Sequence, residues 1–379
     1  MKSLGIIAEF NPFHQGHQYL IEEAMKQTES EVCIAVMSGN FVQRGNPAVA
    51  DKWARAEAAV KKGVNLVVEL PAIYACNSAE YFAKGGVEIL EGFGCVERIA
   101  FGSESGDIRE LQSAADFLKD NDAELHRRIR ELTKQGVSYP AARQIAAENM
   151  QSDFDEGLVS EPNNILALEY LKQLRTLEPF TIKRKGCGYH RSASMIRKEM
   201  LQESPEKFEQ IDQTYWNLVA AKILQTDVCR LEEILSAGEG LGNKLKNEIR
   251  YASSTEELIG RIKSKAYTYS RICRLLTQVL LDIDKETMEH AAGYIRILAF
   301  DHIGARFIKE VKKKGCAVLP VITNINKELT EHQEIKETLE KDILASDLYN
   351  LITERNLYDY SDFIVKPYVE PSRKTHEKN

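Results

Sequence analysis

Asn11-Pro12-Phe13-His14-Gln15-Gly16-His17 sets two imidazoles three residues apart, where a short apolar run gives way to a helical pattern. Residues three apart project from the same side of a helix's first turn. Gly16 between them leaves room for a ligand to approach the backbone. The unpaired N–H groups and partial positive charge of a helix N-terminus favour a phosphate. Imidazoles placed there can hydrogen-bond oxygens that gain charge during phosphoryl or nucleotidyl transfer. In isolation, an HxGH is equally well two surface histidines at a helix start, so its setting decides. A second cluster, Ser192-Ala193-Ser194-Met195-Ile196-Arg197, also opens a helical pattern. Its hydroxyls and N–H groups suit phosphate oxygens, and Arg197 suits the charge of a departing pyrophosphate. Taken alone, Ser192 reads as a helix cap.

The elements that must hold these residues alternate. LGIIAEF (4–10), VCIAVMS (32–38), NLVVEL (65–70) and VERIAFGS (96–103) are strand-like runs. Between them lie helical patterns at about 15–27, at DKWARAEAAVKKG (51–63) and at SAEYFAKGGVEIL (78–90). In the second of these Asp51 is the expected N-cap, Trp53, Ala56 and Val60 share a face, and Gly63 is the stop. Such alternation predicts an α/β fold, a doubly wound parallel sheet that binds ligands outside the carboxyl ends of its strands. Residues 107–175 look helical with a break near SEPNNIL (160–166), and FTIKR (180–184) is a last strand leading into the Ser-rich cluster. Beyond about 203 the pattern is mostly helical, except for YIRILAF (294–300) and AVLPVIT (317–323). The expected division is an N-terminal domain over 1–202, a mostly helical region over 203–370 and a polar, disordered tail over 371–379.

Composition narrows the class. With 379 residues, 43% hydrophobic and 28% charged, the chain has enough apolar material for a sizeable core. No apolar run approaches the roughly 18–20 residues of a membrane span, and no secretory pattern opens the sequence. Seven cysteines, at 33, 76, 95, 187, 229, 273 and 316, form no CxxC. Reduced thiols in a cytoplasmic protein are expected, with neither a metal cluster nor a prosthetic group. The net charge of −7 hides a basic island. Residues 241–280 hold eight Lys and Arg against three Glu, a local +5, which suits either RNA or an ordinary solvated face.

Following a first strand, HQGH resembles the HxGH signature of the nucleotidylyltransferase and class I aminoacyl-tRNA synthetase superfamily, and SASMIR resembles the SSTxIR signature that closes the same site. GIIAEFNPFHQGH, MSGNFVQRGNPA (37–48), DKWARAE (51–57), ELP and NSAEYFAKGGV (69–87), FGSE (101–104), PNNIL (162–166) and TIKR (181–184) together resemble the bacterial tRNA(Met) cytidine acetate ligase family. The resemblance covers most of residues 4–200 and thins beyond, where AYTYSRICRLL (266–276) is its best piece.

This resemblance implies a reaction in two steps. Acetate attacks the α-phosphate of ATP, giving acetyl-adenylate and pyrophosphate. The N4 amine of the wobble cytidine of elongator tRNA(Met) then takes the acetyl group. ATP with Mg²⁺ would be the cosubstrate, acetate and tRNA(Met) the other partners, and no membrane is involved. His14, His17, Ser194 and Arg197 would be catalytic. By the family pattern Ile7, Ala8, Glu9, Phe10, Asn11, Pro12, Phe13, His14, Gln15, Gly16, His17, Gln18, Tyr19 and Leu20 would wrap the nucleotide. Gly102, Asn163 and Arg184 would complete the ATP contacts. The sequence departs from the family at Tyr189-His190-Arg191, which runs straight into Ser192 where YHD and further residues are usual. If 263–280 is one helix, Lys263, Tyr267, Arg271 and Arg274 share a stripe opposite Ile272, Leu275, Leu276, Val279 and Leu280, suited to tRNA phosphates and unstacked bases. Rival readings are a metabolic adenylyltransferase with a small phosphate-bearing acceptor, and a non-catalytic RNA-binding protein on the same fold.

Overall fold

Each apolar run of the first hundred residues forms a strand whose side chains divide between two faces. The computed structural model describes residues 1–371 apart from 138, 151–156, 185–191, 239, 265–266 and 292. Strands β1 (Ser3–Ala8), β2 (Val32–Ser38), β3 (Leu66–Leu70), β4 (Arg98–Ser103) and β5 (Glu178–Lys183) pair in parallel in the order β5-β4-β1-β2-β3. In β2, Val32, Ile34 and Val36 enter one core while Cys33, Ala35 and Met37 enter the other, and all six are fully buried. A sheet covered on both faces needs such continuous apolar strands.

The connecting helices cover those faces. Helix α1 spans Gln15–Thr28, α2 Lys52–Lys61 and α3 Ala79–Gly92. Asp51 caps α2, accepting from the Ala54 amide at 2.9 Å, and Gly63 follows its end at φ +105°. Between β4 and β5 come three helices, Ile108–Asp120, Asp122–Lys134 and Tyr139–Met150, and then α4 (Pro162–Gln173), which begins at the expected break. The strand order reverses between β1 and β4, which opens a crevice at their carboxyl ends.

The C-terminal half is mostly helical, including α5 (Ala193–Glu203), α6 (Pro205–Gln225), α7 (Thr255–Ile262), α8 (Tyr269–Leu281), α9 (His302–Lys314) and α10 (Lys336–Ile352). The sheet, however, does not end at residue 202. β6 (Ile295–Phe300) pairs antiparallel with β3, and β7 (Val321–Ile322) and β8 (Tyr368–Val369) pair with β6. These strands come from the runs at 294–300 and 317–323 and from the last described residues. The tail residues 372–379, like the Tyr189-His190-Arg191 segment, lie outside the described residues.

Several quoted motifs hold the two halves together. Lys52 of DKWARAE is fully buried and donates to Glu69 of ELP at 2.8 and 2.9 Å and to Asp362 at 2.8 Å. Arg296 of β6 bridges the same two carboxylates at 3.0 and 2.9 Å. Arg55 donates to the carbonyls of Glu9, Ser38 and Gly39, which ties the ends of β1 and β2 together. Gln278 of α8 donates to the Cys76 carbonyl at 2.9 Å, and Tyr349 of α10 to that of Ala48 at 2.9 Å.

Candidate active site

His14 and His17 cap the start of α1 reciprocally. The Gly16 amide donates to His14 Nδ1 at 3.0 Å, and the His14 amide donates to His17 Nδ1 at 3.2 Å. An imidazole nitrogen that accepts from an amide carries no proton, so each neutral ring holds its hydrogen on Nε2. The rings stack with centroids 3.7 Å apart, and Phe10 and Phe13 pack on His17 at 5.0 and 5.5 Å. Burial, and after it His14 and Arg184, push the His17 pKa well below the usual imidazole range. His17 is therefore a neutral Nε2–H donor held in a fixed orientation. Such a donor suits an oxygen that gains negative charge, with no reorganisation during the reaction.

The carboxyl ends of β4 and β5 meet the start of α4 through one hydrogen-bonded group. Asn163 Nδ2 donates to Glu104 Oε1 at 2.5 Å, and the Asn164 amide donates to Glu104 Oε2 at 2.9 Å. Asn164 Oδ1 in turn accepts from the Glu104 and Ser105 amides. Arg184 Nη1 donates to Asn163 Oδ1 at 3.0 Å. FGSE, PNNIL and TIKR are thus three sides of one corner. At Gly102 a Cβ would lie 3.3 Å from the Arg184 side chain, so a larger residue would press on the corner.

Helix α5 brings the Ser-rich cluster to the same place. Ser192 Oγ caps it, accepting from the Met195 amide at 3.3 Å. Arg197 donates to the Asn11 carbonyl at 2.6 Å and to Ser194 Oγ at 3.3 Å, which fastens α5 to the HxGH loop. Glu9 accepts from the Gln43 amide at 2.8 Å, and burial raises its pKa against the pull of Arg55, Arg197 and Arg44.

These groups line a cleft of about 950 Å³, within the size range of small-molecule sites. Residues Ile7 to Leu20 line it except Pro12, Phe13, Gln15 and Gln18. Gly102, Asn163, Arg184 and Arg197 also line it, whereas Ser194 stands behind Arg197. Sequence reasoning left Arg44, Arg143, Glu169 and Lys172 of the wall unassigned. Arg44 had a signal, since it lies within MSGNFVQRG. The other three had none, because Arg143 and Lys172 meet at Glu169 only in the fold, at 2.9 and 3.1 Å. Among the described residues no group of three or more His, Cys, Asp or Glu could hold a metal ion.

The basic stripe needs a correction. Residues 263–280 do not form one helix. Helix α7 ends at Ile262, and Thr268 Oγ1 accepts from the Arg271 amide at 3.4 Å to start α8 afresh. This cap defeats the continuous periodicity, so Lys263 and Tyr267 lie off the helix that carries Arg271 and Arg274. Arg271 is anchored to the Ser236 carbonyl at 3.1 Å, and its guanidinium and the Lys244 ammonium lie 5.5 and 5.9 Å from the Tyr267 ring. Of the four, Arg274 alone lines the cleft, while Ile272, Leu275, Leu276, Val279 and Leu280 are buried as the periodicity requires.

Residues 1–362 match the family model described as HIGH Nucleotidyl Transferase. The chain is 38% identical to the tRNA(Met) cytidine acetate ligase of Thermoanaerobacter sp. (strain X514), over 96% of this chain and 98% of the relative. It is 35% identical to the protein of that name from Clostridium novyi (strain NT), over 97% and 99%. Among solved structures, Thermotoga maritima TmcAL bound with alpha-thio ATP superposes with a TM-score of 0.86 at 32% identity, over 98% of this chain and all of that one. The apo form of the same protein gives 0.87 at 31% identity, over 97% and 99%.

Proposed function

The chain belongs to the HIGH nucleotidyl transferase family and, within it, to the tRNA(Met) cytidine acetate ligases, and from that membership we propose that its cleft joins acetate to the wobble cytidine of elongator tRNA(Met) through acetyl-adenylate. ATP lies across β1, β4 and β5, with adenosine at Gly102, Asn163 and Arg184 and the phosphates at the start of α1. An acetate oxygen attacks the α-phosphorus in line, and pyrophosphate leaves. The Nε2–H groups of His14 and His17 donate to phosphate oxygens as charge builds, and Arg197, with Ser194 behind it, offsets the departing charge. No covalent enzyme intermediate is required, because the protein positions reactants and balances charge. The cytidine N4 then attacks the acetyl carbon, the C–O bond to phosphate breaks, and AMP departs with its electron pair while N4 gives up a proton. Arg274 takes a tRNA phosphate at the cleft, with Lys263, Tyr267 and Arg271 farther out.

Mg²⁺ belongs to this reading only as the ion that accompanies ATP. Mg²⁺ ordinarily takes phosphate oxygens, waters and at most one or two carboxylates, so it needs no dedicated cluster of protein ligands. A tRNA substrate suits an enzyme of the cytoplasm, and no helix among the described residues is long and apolar enough to cross a membrane. The observation that carries the reading is the pair of Nε2–H donors beside Arg197 and Arg184 in one cleft. The test is ATP–pyrophosphate exchange with a panel of small acids, with and without tRNA. Acetate-dependent exchange is expected; exchange that needs a phosphate-bearing acceptor instead would favour a metabolic adenylyltransferase.

A further inference from the structure

Almost every residue of the MSGNFVQRG loop has a structural task. Asn40 accepts from the Lys52 amide at 2.7 Å, Phe41 is buried in the core, and the Gln43 amide donates to Glu9. Gly45 has φ +82°, and a Cβ there would lie 2.6 Å from both N and Cα of Arg274. Its carbonyl also accepts from Thr277 of α8. Arg44 is the exception. It is exposed, lines the cleft, and makes no hydrogen bond or ion pair among the described residues.

Close contact between Gly45 and the Arg274 backbone joins the loop after β2 to α8, and an arginine from each, Arg44 and Arg274, lines the cleft. Ser270, one helical turn before Arg274, lines the same wall. Burial, and with it the charge of Arg44, lowers the Arg197 pKa, and both arginines line the one cleft. Arg44 comes from a different connection than the expected nucleotide residues: His14 and His17 follow β1, Gly102 lies in β4 and Arg184 follows β5, whereas Arg44 follows β2.

We infer that Arg44 and Arg274 together form a phosphodiester site that holds the RNA backbone beside the cytidine being acylated. This rests on the functional reading above. Two guanidiniums from different elements recognise a phosphate through paired, charge-assisted N–H donors. Gly45 keeps their two elements in contact, because a side chain there would push α8 from the loop.

The experiment compares Arg44→Gln, Arg274→Gln and the double variant with the wild-type protein. Acetate-dependent ATP–pyrophosphate exchange without tRNA should stay within about twofold in Arg44→Gln. Single-turnover acetyl transfer to tRNA(Met) should fall about tenfold or more. The slope of log affinity for tRNA against log salt should flatten by about 0.7–0.9. The double variant should be little worse than the worse single one, since both side chains hold one phosphate. Loss of exchange in Arg44→Gln would overturn the inference and assign Arg44 to ATP. Unchanged transfer with an unchanged salt slope would overturn it too. Wild-type protein without acetate-dependent exchange would overturn the functional reading instead, which keeps the two failures distinct.

Discussion

Lys52 and Asp362, 310 residues apart in the chain, form a salt bridge of 2.8 Å in which both side chains are fully buried. A cation in such a place is tolerated only when paired and hydrogen-bonded, and here Glu69, Arg296 and Ser346 complete the set. The bridge fastens the segment around Asp362 to the start of α2 and, through Glu69, to β3.

Asp362→Ala should therefore destabilise the protein by about 3–5 kcal/mol, because it leaves Lys52 and Arg296 with one carboxylate. Burial alone would raise the Asp362 pKa, but Arg296 and Lys52 outweigh it and hold the carboxyl at about 2. The folded pKa lies below the unfolded value of about 3.9, so this contribution is complete above that pH and lost as pH falls toward 2. Chemical denaturation between pH 2 and 6 should show a steep acid limb in the wild type. The same limb in Asp362→Ala would show that other carboxylates cause it.

Asn163 stands between Glu104 and Arg184, donating to one and accepting from the other. Asn163→Ala should lower ATP affinity about tenfold or more, because two hydrogen bonds to charged partners are lost and Arg184 is released. Titration calorimetry with ATP checks this, and wild-type affinity would exclude the corner from nucleotide binding. Asn164→Ala should act chiefly on stability, since Asn164 is buried and its partners are Glu104 and the Ser105 amide.

Much of this site was legible in the sequence. The apolar runs gave the parallel strands, and HQGH after the first of them pointed to the helix start that lines the cleft. Two other things were hidden. DKWARAE and ELP carry the family resemblance without showing what their charges do; Lys52, Arg55 and Glu69 work in the interior, where partners distant in sequence decide a charge's role. The stripe from Lys263 to Arg274 failed for a local reason: periodicity of charge and apolar residues does not reveal that Thr268 will cap a new helix. Likewise nothing in YIRILAF foretold an antiparallel seat beside β3, because a buried run pairs equally well in either direction.

Gly45→Ala should separate the two proposed steps. The substitution strains a backbone at φ +82° and places a methyl 2.6 Å from Arg274 main-chain atoms, so α8 must shift. Acetyl transfer to tRNA should fall at least tenfold more than acetate-dependent pyrophosphate exchange, since the nucleotide side of the cleft is built from other strands. Equal loss in both assays would mean that α8 also supports the nucleotide site.

His17 makes the last prediction, one of sign. Its folded pKa is pushed well below the unfolded value of about 6.5 by burial, by His14 and by Arg184. Protonation therefore favours the unfolded chain, and stability is full above about pH 6.5 and declines as pH falls below it. A protonated His17 would also lose the Nδ1 lone pair that accepts from the His14 amide. Acetate activation should accordingly show no break from this group between pH 7 and 8. His17→Asn should retain more activity than His17→Ala, because an amide can supply an N–H donor. The alanine variant should lose roughly 10²–10³-fold in the rate of acetyl-adenylate formation, as when one preorganised donor is removed. A rate in His17→Ala close to wild type, with its fold intact by circular dichroism, would remove this imidazole from the mechanism.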